Sequence, residues 1–192
     1  MPVCIAAVSD VDESAVVAAD RLKSEQRDAL LPQDIDYVRI KVFDEHTVFL
    51  SSCTSEETEA VFARAKELAA GYQSKSAEAL AECIRVAQEG VPISMREQLH
   101  STVASPCPGS GPDGTPRPWS SQAEFLVVGM EGTHPQVHRI NEVGKHSLES
   151  IGYTVIGEGE RTSWMTLVML GCYRMLPLAH VVYYVYEAKK GG

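Results

Sequence analysis

Apolar and polar positions alternate in blocks along the chain, and the period of the alternation changes from block to block. Residues 3–8 form a compact apolar run, closed by the turn-like Asp10-Val11-Asp12-Glu13. A second run covers 15–19, so the start reads as a β-hairpin. A polar stretch with Pro32 inside it fills 21–36. Residues 37–43 and 47–50 then flank a short turn at Asp44-Glu45-His46, a second hairpin. From Thr54 the period becomes helical. Thr54 and Glu57 have capping-box spacing, and Val61, Phe62, Ala65, Leu68, Ala69 and Tyr72 follow on one face. Residues 76–88 give another helix, with Leu80, Cys83, Ile84 and Ala87 inward and Gly90 just past its end.

Proline and glycine crowd residues 105–119, which predicts an exposed loop inside a single domain of 1–192. Beyond it, 124–130 and 136–140 read as a third hairpin, and 154–156 as a short strand. A helix is expected over 160–175 with Met165, Val168, Met169 and Cys172 inward. The last element is ambiguous. Residues 181–186 are rich in valine and tyrosine and favour a strand, whereas Pro177 at N1 and the lysines near the end favour a helix. Segregated blocks of strands and helices predict an α+β fold with antiparallel sheets.

The 192 residues carry 17 Lys+Arg against 26 Asp+Glu, a formal charge of -9. That sign repels phosphate backbones and anionic bilayers, so neither nucleic acid nor a membrane is an expected partner. No apolar run is long enough for a transmembrane helix, and residues 1–10 lack the basic start of a signal peptide. The five cysteines are odd in number, widely spaced and free of CxxC pairs, which points to reduced thiols and a cytoplasmic setting. His134 and His138 have the spacing of a helical metal pair but fall in a turn entering a strand, with no completing ligands; they read as incidental on a surface hairpin. Gly157-Glu158-Gly159 precedes a helix, but Glu158 and Glu160 would repel an anion there. No metal and no cofactor are expected.

Several segments, taken in order, resemble the proteasome-like N-terminal-nucleophile hydrolases: MPVCIAA at 1–7, VVAADR at 16–21, KVF at 41–43, FLVVGM at 125–130, VHRI at 137–140, YTVIGEG at 153–159 and YYVYEAKK at 183–190. The resemblance covers nearly the whole chain outside the proline-rich loop. It implies a four-layer αββα sandwich, here without its last strands, since the family continues past the position of Gly192. It implies a threonine-type peptidase, in which the first residue attacks a peptide carbonyl with its own α-amino group as base. That amine titrates near pH 8 and takes a proton near neutrality.

The resemblance places Asp20 and Lys41 as the supporting acid and base. Each alone would read as a turn residue or a solvated strand charge. They are expected within a few ångströms of the first residues, because the family carries both hairpins in one sheet. Pro2 stands at the nucleophile position and offers no hydroxyl. The oxyanion-donor region falls at Ser52 and Cys53, where the family usually has glycine, and Glu158 stands where a serine is common. Cys4 lies two residues from Pro2 on the same strand face and is the alternative nucleophile after N-terminal processing; a buried core cysteine is its plainer reading.

Three functions follow as expectations. The first is a proteasome-like subunit with weak or lost peptidase activity and a structural or assembly role. The second is an active amidohydrolase using Cys4 on a peptide or amide substrate. The third, more distant, is proline-base chemistry of the tautomerase kind. A ring-type homo-oligomer is expected, its helix layers making the contacts. Val61, Phe62, Tyr183 and Tyr186 are candidates for them, unless they belong to the core.

Overall fold

A computed structural model describes residues 3–20, 39–52, 55–71, 76–89, 124–141, 144–147, 151–157 and 159–192. Pro2, Cys53, Thr54, Tyr72, Glu158 and the 105–119 loop lie outside the described residues, as do the side chains of residues 55–57. Eight strands are described: β1 Val3–Ser9, β2 Ser14–Ala19, β3 Ile40–Asp44, β4 Thr47–Ser51, β5 Phe125–Glu131, β6 His134–Asn141, β7 Gly144–Ser147 and β8 Tyr153–Gly157. Four helices are described: α1 Ser55–Ala69, α2 Ala77–Glu89, α3 Glu160–Met169 and α4 Leu178–Gly191.

The strands form two sheets, one of order β2-β1-β8 and one of order β3-β4-β5-β6-β7, antiparallel throughout. The fold is therefore α+β with antiparallel sheets. The two N-terminal hairpins lie in different sheets, which corrects the expectation that one sheet carries both. β1 pairs with the late strand β8, and β4 pairs with β5.

Three apolar clusters explain the stacking. Cys4, Ala6 and Ile156 of the smaller sheet meet Leu50, Leu126 and Val128 of the larger one. On its other face the larger sheet packs Phe49, Phe125 and Ile140 against Val61, Leu80 and Ile84 of α1 and α2. Phe49 stacks on both Phe62 and Phe125, with ring centroids 5.5 and 5.2 Å apart. The smaller sheet packs Val3, Ile5 and Val155 against Leu167, Val181 and Val185 of α3 and α4. Every residue of β1 is buried, because helices cover one face of its sheet and the second sheet covers the other. That is why its sequence is continuously apolar rather than alternating.

Tertiary packing decides the ambiguous last element. Val181, Val185 and Ala188 fall on one helical stripe against the smaller sheet, and this burial outweighs the strand propensity of residues 181–186. Pro177 is the N-cap, not N1. The amide of Leu178 donates to Asp12 Oδ2 at 2.6 Å, so a residue of the β1–β2 turn caps this helix from a distance. The same turn holds the α3–α4 connection through Ser9 Oγ, which donates to the Leu176 carbonyl at 2.7 Å, and through the Arg174–Asp10 ion pair.

α3 is shorter than the apolar pattern suggests. Gly171, at φ +70, takes the left-handed conformation that closes a helix, six residues after Met165 and well before 175. Its buried positions are Ser163 and Leu167, whereas Met165, Val168 and Met169 face solvent. The inward assignment of these three is thus reversed, and only Cys172 of that set is buried. The apolar content of α3 runs around the helix, so periodicity alone selected the wrong face. Val61 is buried and Phe62 packs against the same core, while Tyr183 and Tyr186 are exposed.

Candidate functional site

The residues singled out from the sequence fall around the start of β1, the ends of β2 and β4, and the middle of β3. Asp20 follows β2 and extends the ladder toward Val3. Its amide donates to the Val3 carbonyl at 3.1 Å, and its Oδ2 accepts the Val3 amide, also at 3.1 Å. Its other oxygen pairs with Lys189 Nζ at 2.8 Å, so the base beside Asp20 comes from the last turn of α4. Sequence reasoning missed Lys189. It is one of two adjacent lysines where any helix favours cations, and only the packing of α4 over β2 distinguishes it.

Lys41 occupies a different environment. It is opposite Phe49 in the β3–β4 register, whereas neighbouring Ile40 is opposite Leu50. Ile40 and Leu50 belong to the core between the sheets, and Phe49 to the core beneath α1 and α2. Alternation along the strand therefore puts Lys41 on the helix side of the larger sheet. There its ammonium ion-pairs with Glu59 of α1 and lies 5.5 Å from the Phe62 ring centroid. The structure brings Asp20 to the first strand but turns Lys41 toward α1.

Cys4 is wholly buried between the sheets, and its thiol donates to the Ser51 carbonyl at 3.3 Å. Burial pushes the thiol up to about 12; the nearby Arg39 charge opposes the rise and Asp20 adds to it. A thiol in that state is protonated at neutral pH and is a poor nucleophile. Arg39 is the second residue that sequence reasoning missed. It is buried two positions before Lys41, and its Nη1 donates to the same Ser51 carbonyl at 3.1 Å. The Ser51 hydroxyl contacts Thr58 Oγ1 of α1 at 2.6 Å, so this end of β4 is tied to both neighbouring layers.

Ser52 continues the β4–β5 pairing by one residue. Its amide donates to the Glu124 carbonyl at 3.0 Å and its hydroxyl to the same oxygen at 3.3 Å. An oxyanion donor needs an amide aimed into an open site. The Ser52 amide is instead engaged within the sheet.

Two further features lie near α3. Arg139 of β6 donates from Nη1 to Glu160 Oε1 at 2.7 Å and from Nε to Glu124 Oε1 at 3.2 Å, joining β5, β6 and the first turn of α3. Burial alone would lower the Arg139 pKa, but these two carboxylates carry it above the ordinary value. A cavity of about 620 Å³ opens beside the cluster, lined by Arg139, Glu160, Arg161, Trp164 and Met165. His134 and His138 both lie on β6, roughly 13 Å apart along an extended strand, which is too far to share an ion. His134 is exposed as expected; His138 is buried, so it is not part of a surface pair. Among the described residues, no group of three or more His, Cys, Asp or Glu side chains is placed to hold a metal ion. No described helix is long and apolar enough to cross a membrane.

Comparison with models of known protein families finds no match, and comparison with curated proteins finds none either.

Proposed function

We propose that the chain is a proteasome-subunit-like protein of the N-terminal-nucleophile hydrolase fold whose peptidase activity is weak or lost, and which serves as a structural or assembly subunit. The observation that carries this reading is the stacking order: a helix pair, an antiparallel sheet, a second antiparallel sheet and a second helix pair, each boundary filled by its own apolar cluster. The segment resemblance supports the family, and the Val3–Asp20 hydrogen bond fits an acid placed beside the first strand, as that resemblance implies.

Weak or lost catalysis is supported by the chemistry of the same region. Cys4 is buried with its thiol pushed up to about 12, the Ser52 amide is engaged by Glu124, and Lys41 is held by Glu59 on the helix side of its sheet. Peptide hydrolysis needs an ionisable nucleophile, an oriented base and an available oxyanion donor together. None of these three residues presents the group the chemistry needs.

The test is the rate at which the purified chain hydrolyses a panel of fluorogenic peptide amides, measured beside a Cys4→Ala variant. Both proteins are expected to match the buffer rate. Turnover by the parent chain that Cys4→Ala abolishes would overturn the inactive reading and favour the amidohydrolase.

A further inference from the structure

The cavity beside α3 combines a positive charge that has no partner with an apolar wall. Its volume of about 620 Å³ falls within the roughly 300–1,000 Å³ of small-ligand clefts. Arg161, Trp164 and Met165 line it, and their spacing of three and four positions puts them on one side of α3. Trp164 is half-buried, and its ring packs against that of Tyr153 with centroids 5.0 Å apart, which holds the indole in place at the cavity. Met165 is exposed beside it.

The charges of the lining are unevenly committed. Nε, Nη1 and Nη2 of Arg139 all donate to Glu124 or Glu160, and Arg139 engages both carboxylate oxygens of Glu160. Glu160 was expected to repel an anion at the start of α3; paired in this way it presents no unopposed charge there. Arg161 is the contrast. Among the described residues neither its guanidinium nor the Trp164 indole N–H has a hydrogen-bond or ion-pair partner. Two donors on the cavity wall are thus left to solvent or to a ligand.

One free guanidinium selects one negative charge, and its planar fork matches a carboxylate through two parallel N–H···O bonds. The indole and the thioether suit a flat apolar body. A dianion such as phosphate lacks the second cation it needs, because Arg139 is committed, and it would leave the indole and the thioether uncovered.

We infer that this cavity is a binding site for a small aromatic carboxylate, its charged group held by Arg161 and its ring laid against Trp164 and Met165. The site is independent of the proposed assembly role and of the question of the nucleophile, since no lining residue belongs to the first strand.

The experiment is an NMR titration of the isotope-labelled full chain with cinnamate, up to about 5 mM, following the indole N–H signal of Trp164. The chain has two tryptophans, and Trp164→Phe assigns the signal. A saturable shift is expected, with a Kd of about 0.1–1 mM. Cinnamamide, which keeps the ring and loses the charge, should bind at least about tenfold more weakly, as should cinnamate to Arg161→Gln. Inorganic phosphate should give no saturable shift. Arg161 is exposed, so the variant should fold, and circular dichroism checks that it does; the cinnamamide comparison needs no variant. A Trp164 signal that cinnamate does not shift saturably would overturn the site. Equal binding of cinnamate and cinnamamide, or of cinnamate to the parent chain and Arg161→Gln, would overturn the carboxylate assignment. Phosphate saturating the same signal as tightly as cinnamate would overturn the aromatic selectivity.

Discussion

Alkylation of Cys4 tests the burial of the first strand and its exclusion from catalysis together. The thiol has no exposed surface, and its pKa rises from 9.0 to about 12. At pH 8 a pKa of 9 leaves about a tenth of a thiol ionised, whereas a pKa of 12 leaves about one part in ten thousand. The ionisation effect alone slows reaction with iodoacetamide about a thousandfold. Reagent access adds to this, because β1 is paired on both edges and covered on both faces. Labelling therefore waits on opening of the fold, which a stability of 5 kcal/mol or more holds to a population of about 10⁻⁴ or below. The assay is timed alkylation at pH 8, native and in 6 M guanidinium, read by mass spectrometry of the peptide that contains Cys4. The native rate is expected to be at least about 10³-fold slower than the denatured rate. Native labelling of Cys4 within a factor of ten of the denatured rate would refute both the burial and the raised pKa. It would also return Cys4 to consideration as a nucleophile.

Other consequences concern pH and packing. The folded-state pKa of Cys4 lies above its unfolded value, so its contribution to stability is complete below about pH 9 and declines between pH 9 and 12. Denaturant midpoints should fall by the equivalent of about 1.4 kcal/mol per pH unit in the middle of that window and by about half of that at its edges, and Cys4→Val should flatten the decline. Asp10 behaves oppositely: its hydrogen bond to Arg174 lowers its pKa, so its contribution is present above the ordinary aspartate pKa and is lost as pH falls through the lowered value. Asp10→Asn should cost about 1–2 kcal/mol at pH 7 and make the acid side of the stability profile shallower, as followed by urea titration. In α3, Leu167→Ala should destabilise the fold by about 2–5 kcal/mol, while Met169→Ala should stay within about 0.5 kcal/mol. Equal costs at the two positions would contradict the assigned helix face.

The elements legible in the sequence were those with one dominant signal. The β1–β2 and β5–β6 hairpins follow from apolar runs broken by turn residues, and α2 buries Leu80, Cys83, Ile84 and Ala87, the positions its periodicity selects. β7 was not expected: residues 144–147 carry no apolar run, and the strand forms by adding to the open edge of β6. α3 was misread because apolar residues occupy both of its faces, and only Gly171 in the left-handed conformation and the burial of Leu167 fix its end and orientation. The candidate site was legible at Asp20, whose place after the second strand puts it beside the first. It was not legible at Lys189, whose contact with Asp20 joins elements that pattern reading treats separately, nor at Arg39, where the hairpin pattern does not show that the charged side chain is buried against the Ser51 carbonyl. Lys41 shows the same limit from the other direction: its position along the chain suits the family, but alternation along β3 decides which layer it meets.

The most direct test of the proposed loss of catalysis is intact-mass spectrometry of the native chain after incubation with a peptide vinyl sulfone, which forms a covalent adduct with an activated threonine or cysteine nucleophile. The expected spectrum retains the unmodified mass after prolonged exposure at neutral pH. A stoichiometric single adduct, suppressed by a competing peptide substrate and mapped to one residue, would contradict the account and identify the nucleophile it denies.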